Sequence, residues 1–372
     1  MRARIRLRRN GPNQKRSQKM IGKSRNKENR VYRSSLTNRE LVVEPAPHVT
    51  SHMTKDLLMK YTFFSLCILA ATAIIAFGIT ALIIEIIAVI VAIISDYLLS
   101  LVMKNKGPLN LYSAAVSGLI VASSFSSGIP YSVEYAVPTM DPAIQYVAVA
   151  VISAVTVILF KKIQGLLGRK YLNPVATAKL LVLIPIWNTA LIPQDHLIAA
   201  KISSFTYLQG ALQMCYSYNA PFKDPLLTLI ILKNHGWLGG ASSIAVIVVG
   251  IILLIVCRGY LKWRIPLTFL ATTAIISSSY GLINGEDIVL RVAYHLFVGS
   301  VIFLAFFMAT DPATTPLIGF GQIIFAIGLG LLTFILQIWG NFLGGSILAL
   351  IIMNLTVPFL DRVVIRKPFG RR

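Results

Sequence analysis

Charged side chains are scarce in this chain of 372 residues, and basic ones outnumber acidic ones by 35 to 14. Together the four charged residue types make up 13% of the sequence, whereas 56% is hydrophobic and the mean hydropathy is +0.72. A typical soluble domain carries about 25% charged residues. The composition therefore excludes an ordinary soluble protein and predicts an integral membrane protein.

Cysteine is also rare, and the usual catalytic motifs are missing. Cys67, Cys215 and Cys257 are far apart and form no CxxC pair, which argues against a disulfide framework or an iron–sulfur site made by this chain alone. The sequence contains no Walker loop, GxGxxG fingerprint, nucleophile elbow or HExxH motif, and its five histidines lack metal-ligand spacing. We therefore predict no catalytic residue and no metal site.

Long apolar runs dominate the sequence after about residue 60. They are rich in Leu, Ile, Val and Ala and are about 20 residues long, which favours membrane-spanning helices over the short alternating strands of a barrel. The predicted fold is all-α, with about ten transmembrane helices: 61–79, 81–103, 111–128, 142–160, 175–192, 240–257, 265–281, 290–309, 319–339 and 343–360.

The first 60 residues contain 16 Lys and Arg against four acidic residues. Residues 1–45, called the basic tail, lack apolar periodicity and are predicted to be disordered. The tail has no short apolar core of the kind found in a signal peptide. Nucleic-acid binding is one interpretation of its charge, but no folded basic module accompanies it. We expect instead a cytoplasmic tail that contacts anionic lipid.

The basic loops alternate along the chain and predict an orientation. Lys104, Lys161 and Arg258 belong to loops that fall on the same side as the basic tail and as the basic C-terminal residues 363–372. The positive-inside rule places that side in the cytoplasm, so both termini are expected to be cytoplasmic in a multi-pass protein of the cell membrane.

Weak internal similarity predicts a duplication within the membrane domain, residues 46–362. The predicted halves are 57–192 and 240–361, five helices each, joined by an outer loop over 193–239. Repeats of this kind commonly form a central site where interrupted helices meet.

A few polar residues interrupt the spans. Asn173-Pro174 predicts the start of a half-helix beside a polar amide, because proline cannot extend a helix backwards. Glu85, Asp96 and Lys179 are ionisable residues inside spans, where charge is costly. A structural ion pair or snorkelling explains each alone; a pathway for an ion or proton is the alternative.

Three stretches carry a resemblance to a known family: AAVSGLIVA (114–122), GRKYLNPVATAKLL (168–181) and the block from 306 to 362, which begins FFMATDPATTP. On spacing alone, the Asp311-Pro312 segment is interpreted as a plain turn. Together, however, the three stretches resemble the RnfD/NqrB family, the membrane flavin subunits of ion-translocating Rnf and Nqr oxidoreductases, and the length is closer to RnfD.

The resemblance implies a flavin, FMN or riboflavin. In the family the Asn of the LNP motif lies close to a bound flavin, which transfers to Asn173 here. Family members usually attach FMN to a Thr in the outer loop, where this chain has Asp224. A carboxylate forms no such stable ester and repels phosphate, so covalent FMN is not expected. Thr228 is the other candidate for attachment, and Lys223 is a candidate partner for a non-covalent phosphate.

Three functions remain open on the sequence. The first, implied by the resemblance, is a membrane subunit of an Rnf-type electron transport complex, which passes electrons through flavin, couples them to Na⁺ or H⁺ translocation and has other subunits as partners. It would be part of a translocase rather than an enzyme by itself. The alternatives on the same fold are a channel or solute transporter without redox chemistry and a scaffold subunit.

Overall fold

The computed structural model describes residues 54–102, 110–125, 142–163, 170–183, 227, 230–231, 237–298, 301–338 and 345–363. The chain divides into two units, Met1–His52 and Met53–Arg372, and all described residues belong to the second. The basic tail, most of the predicted outer loop and the last nine residues lie outside the described part.

The described residues form eleven α-helices and no β-strand. In chain order the helices are α1 (Lys55–Phe77), α2 (Ile79–Val102), α3 (Leu111–Ser123), α4 (Pro142–Val155), α5 (Pro174–Leu183), α6 (Ser243–Val256), α7 (Arg264–Ile283), α8 (Ile288–Ala293), α9 (Val301–Phe303), α10 (Gly319–Ile338) and α11 (Gly345–Val363). Wider π-helical turns extend α4 over Thr156–Ile163, α8 over Tyr294–Val298 and α9 over Leu304–Met308.

The predicted all-α membrane fold is confirmed, and each of the ten predicted spans overlaps a helical segment. Five helices are long and apolar enough to cross a bilayer, or six if the bent pair α8 and α9 is one span; three further apolar segments are shorter. The chain is therefore a multi-pass membrane protein. The predicted division into two repeated halves stays a prediction.

Local sequence explains where several helices begin and end. The Thr54 hydroxyl accepts a hydrogen bond from the Leu57 N–H at 3.2 Å and caps α1. Gly78 separates α1 from α2 with φ of +72°, a conformation that glycine adopts without strain. The Asn110 and Ser242 side chains cap α3 and α6 in the way Thr54 caps α1.

The eighth predicted span differs from expectation. The sequence predicts one helix over 290–309, but the structure has two pieces, Ile288–Phe297 and Val301–Met308, whose axes differ by 58°. Both pieces contain π-helical turns, and the sequence between them is Gly299-Ser300. Gly/Ser pairs and π-turns are known causes of sharp bends. Hydropathy alone gives no signal for this break.

Helix α2 packs against α3 and α4, α4 packs against α5, α10 packs against α7 and α11, and the contacts α1–α6 and α5–α11 join the two ends of the chain. The α2–α3 contact is especially close at Gly118. A Cβ atom there would lie 2.6 Å from the Ala88 carbonyl oxygen, which belongs to the backbone of α2. This close approach requires glycine.

We expect Gly118→Val to lower the free energy of unfolding by about 1–3 kcal/mol, because the added side chain forces α2 and α3 apart. Thermal unfolding of the purified protein measures the loss. Leu111→Val, at an exposed position of the same helix, is the control and should change little. An unchanged unfolding temperature for Gly118→Val would contradict this close contact.

Candidate functional site

Asn173 begins helix α5. Its side-chain oxygen Oδ1 accepts hydrogen bonds from the backbone N–H groups of Val175 at 3.1 Å and Ala176 at 3.2 Å. Proline at the first helical position, Pro174, is the expected neighbour of such a cap. The predicted half-helix start at Asn173-Pro174 therefore coincides with the observed beginning of α5.

The Asp311 segment is a tightly hydrogen-bonded turn at the end of the π-helical turn Leu304–Met308. The Asp311 carboxylate accepts a hydrogen bond from the Ala313 N–H at 3.0 Å, and the Thr315 hydroxyl donates to the Asp311 backbone carbonyl at 2.7 Å. Lys262 reaches the same turn and donates to the Thr315 carbonyl at 3.0 Å. The sequence interpretation as a plain turn missed this network.

The ionisation of Asp311 reflects two opposing influences. Burial raises the pKa of its carboxyl group above the usual value, while the hydrogen bond from Ala313 and the positive charges of Lys170 and Lys262 act in the opposite direction. The carboxylate is thus held in a poorly solvated place beside two cations.

Asn173 and the Asp311 turn are joined directly. The side-chain nitrogen Nδ2 of Asn173 donates to the Met308 carbonyl at 3.1 Å, across 135 residues of sequence. The amide therefore fixes the start of α5 and the end of the π-helical turn to each other. Its position is buried, with 5% of its surface exposed.

A cavity opens beside this junction and is called the Asn173 cavity. The space that the centres of water-sized atoms reach is about 130 Å³, and the whole cleft with its open mouth measures about 820 Å³. One wall is apolar and includes Val116, Phe306 and Phe307. The polar lining residues are Thr62, Ser113, Ser117, Lys161, Lys170, Asn173, Thr310 and Asp311.

Of the predicted ion-pathway residues, Asp96 lies next to this cavity. The Nζ atom of Lys161, a lining residue, is 3.8 Å from the Asp96 carboxylate, and both side chains are mostly buried. In the sequence, Lys161 and Lys170 serve only to orient the membrane domain. Their position at a cavity that contains Asp311 gives them a second role, which loop charge alone does not reveal.

Glu85 and Lys179 lie elsewhere. Glu85 is on α2, eleven residues before Asp96, which corresponds to about 16 Å along the helix. It is buried, and among the described residues its Oε1 atom has no hydrogen-bond partner. Lys179 is buried in the middle of α5 and contacts the end of α3. The three residues predicted as an ion pathway therefore do not form one cluster.

The remaining predicted site residues, Lys223, Asp224 and Thr228, lie outside the described residues. The expectation that Asp224 prevents covalent FMN attachment stays a prediction.

One buried polar cluster escaped the sequence analysis. Arg291 is fully buried, and its guanidinium group donates to both carboxylate oxygens of Glu286 at 2.5 Å and lies 5.1 Å from the ring centre of Tyr280. One turn later, Nδ1 of His295 is 2.9 Å from Oε1 of Gln337. In the sequence Arg291 looks like a loop charge, and the spacing of Glu286 and Arg291 around the start of α8 was the available signal.

Within the described part of the chain, no group of three or more His, Cys, Asp or Glu residues is arranged to hold a metal ion. The chemistry available at the Asn173 cavity is thus that of an amide, several hydroxyls, a carboxylate and two ammonium groups. Such a set suits the hydrogen-bonding edge of a planar ring.

Comparison with known proteins agrees with the fold. The RnfD subunit of the Na⁺-translocating ferredoxin:NAD⁺ oxidoreductase complex from Acetobacterium woodii is 28% identical over 335 residues, which cover 89% of this chain and 95% of the relative. The RnfD subunit of the proton-translocating ferredoxin:NAD⁺ oxidoreductase complex from Clostridium ljungdahlii is 25% identical over 343 residues, 89% of this chain and 96% of the relative.

A shorter match is more similar. The RnfD subunit of the ion-translocating oxidoreductase complex of Stutzerimonas stutzeri is 35% identical over 148 residues, 39% of this chain and 40% of the relative. The model of the NQR2, RnfD, RnfE family matches residues 42–370, which include every helix described above. The chain therefore belongs to the NQR2, RnfD, RnfE family.

Proposed function

We propose that the chain is the RnfD membrane subunit of an Rnf-type ferredoxin:NAD⁺ oxidoreductase complex and that it carries electrons through a flavin held at the Asn173 cavity. The observation that carries the proposal is the junction of Asn173 with the Met308 carbonyl beside Asp311 and Lys161. It brings together two of the stretches of sequence on which the family resemblance rests.

The residues of the cavity suit a flavin in their chemistry. A flavin ring is flat and largely apolar, with oxygen and nitrogen atoms along one edge, and the cavity has an apolar wall opposite hydroxyl, amide and ammonium donors. Its inner space of about 130 Å³ is below the roughly 300–1,000 Å³ of typical cofactor pockets. The polar ring edge would therefore enter the cavity, and the rest would extend through the open mouth.

When bound, a flavin supplies the capacity to accept and release electrons. The protein residues have simpler tasks. Asn173 holds the start of α5 to the Asp311 turn, and Lys161 and Lys170 provide positive charge beside the position proposed for the ring edge. Positive charge at that edge favours the reduced, electron-rich ring.

The coupled ion is proposed only as Na⁺ or H⁺, because the two long relatives are named for different ions. We also propose the finer topology of ten crossings with both termini in the cytoplasm of the cell, the basic tail against anionic lipid and the other complex subunits as partners. The distribution of Lys and Arg along the chain supports this orientation.

Flavin extraction tests the proposal. Protein purified in detergent should be yellow and should release FMN or riboflavin on denaturation, because Asp224 stands where the attachment threonine of the family is expected. In-gel fluorescence after denaturation is the second readout. A fluorescent band would mean covalent attachment and would contradict the prediction for Asp224, and protein without any flavin would favour a transporter or a scaffold.

A further inference from the structure

Helix α3 ends inside the protein. Its 13 residues span about 20 Å, less than the roughly 30 Å of a bilayer's hydrocarbon core. Ser124 and Phe125, which follow its last residue, are buried, and so are Trp237 and Leu238 packed against them. The C-terminal end of α3 therefore faces a protein interior instead of water.

The carbonyl groups at this end are almost all used by nearby backbone. The Ser124 N–H donates to the Ile120 carbonyl at 3.0 Å, and the Phe125 N–H donates to the Ala122 carbonyl at 2.9 Å. The Phe125 carbonyl accepts from the Leu238 N–H at 2.9 Å, which attaches the chain before α6 to the end of α3. The remaining acceptor is the Ser124 carbonyl.

The ammonium group of Lys179 fills that last position. Its Nζ atom donates to the Ser124 carbonyl and lies 4.2 Å from the ring centre of Trp237 and 5.8 Å from that of Phe125. Only 1% of Lys179 is exposed, and among the described residues it forms no ion pair with a carboxylate. A helix end with partial negative charge and two aromatic faces is thus the whole environment of this cation.

We propose that the end of α3 is a site for a monovalent cation and that the Lys179 ammonium is its tethered occupant. This proposal rests on the proposed function, in which the complex moves Na⁺ or H⁺. Helix ends and exposed carbonyls in the middle of a membrane are the usual ligands for such ions in transporters. Lys179 supplies the same charge at the same place and so excludes a free cation from it.

The consequence for translocation is a barrier set by one side chain. Two unit charges a few ångströms apart repel strongly in a buried place, so a cation cannot pass the end of α3 while Lys179 is bound there. An ion that crosses the subunit by this route does so only when the Lys179 side chain leaves the Ser124 carbonyl. Lys179 is therefore the residue that keeps the resting subunit closed to Na⁺.

Passive uptake of ²²Na⁺ by proteoliposomes that contain the whole complex, without electron donor or acceptor, tests this barrier. Lys179→Gln removes the charge and adds an amide oxygen, and we expect uptake at least about tenfold faster than in the wild type, as removal of a nearby like charge predicts. Lys179→Arg keeps the cation and should remain as tight as the wild type. Uptake by an assembled Lys179→Gln complex that equals the wild-type rate would overturn the proposal.

A second measurement needs no variant that might fail to assemble. Thallium(I), a heavy stand-in for monovalent cations, should give no density beside the Ser124 carbonyl in the wild-type complex, and density there would overturn the proposal. Flavin content and ferredoxin:NAD⁺ turnover of the same preparations test the proposed function separately, because neither sodium leak nor thallium binding requires electron flow.

Discussion

Replacement of Arg291 by methionine is expected to lower the free energy of unfolding by about 3–5 kcal/mol, because it leaves the Glu286 carboxylate buried without its partner. The ion pair is bidentate, and the arginine side chain is fully buried. Thermal unfolding of the purified protein, followed by intrinsic fluorescence, measures the loss. Arg264→Met, at an exposed arginine, is the control and should change the unfolding temperature little.

A double variant separates the charge from the packing. Arg291→Met combined with Glu286→Gln removes both charges together, so no carboxylate is left unpaired, and most of the lost stability should return. If Arg291→Met alone unfolds like the wild type, the pair does not hold α8 in place.

Asn173→Ala should reduce ferredoxin:NAD⁺ turnover of the assembled complex by about two orders of magnitude and should release its flavin, because a small displacement at a reacting centre has effects of that size. The substitution removes the cap of α5 and the donor to the Met308 carbonyl at once. Turnover and the ratio of flavin to protein are the measurements.

Asn173→Asp distinguishes the two roles of this side chain. The aspartate keeps the oxygen that caps α5, so the unfolding temperature should stay near that of the wild type, but it cannot donate to the Met308 carbonyl. The flavin content of this variant should still fall. Wild-type flavin content and turnover in Asn173→Ala would remove the Asn173 cavity from consideration as the flavin site.

The sequence predicted the helices well, because a bilayer imposes one strong rule on every span. About 20 apolar residues and a completed set of backbone hydrogen bonds are needed wherever the chain crosses. Asn173-Pro174 was also predicted correctly as a helix start, since proline and a capping amide act locally.

The site itself was predicted only in part, because its contacts connect distant segments. The Asn173–Met308 hydrogen bond joins residues 135 positions apart, and hydropathy carries no information about such pairing. The Asp311 turn looked ordinary for the same reason, since the Lys262 side chain that completes it comes from 50 residues earlier. The break between α8 and α9 was missed because both pieces are equally apolar.

The lysine in the middle of α5 also has a consequence for how the protein is made. A lysine at the centre of a nascent helix disfavours insertion by about 2.5–3.5 kcal/mol on the translocon scale. Its only hydrogen-bond acceptor in the described structure is the Ser124 carbonyl, which belongs to an earlier segment of the chain. During synthesis, α5 should therefore enter the lipid stably only after α3 has emerged and waits beside the translocon.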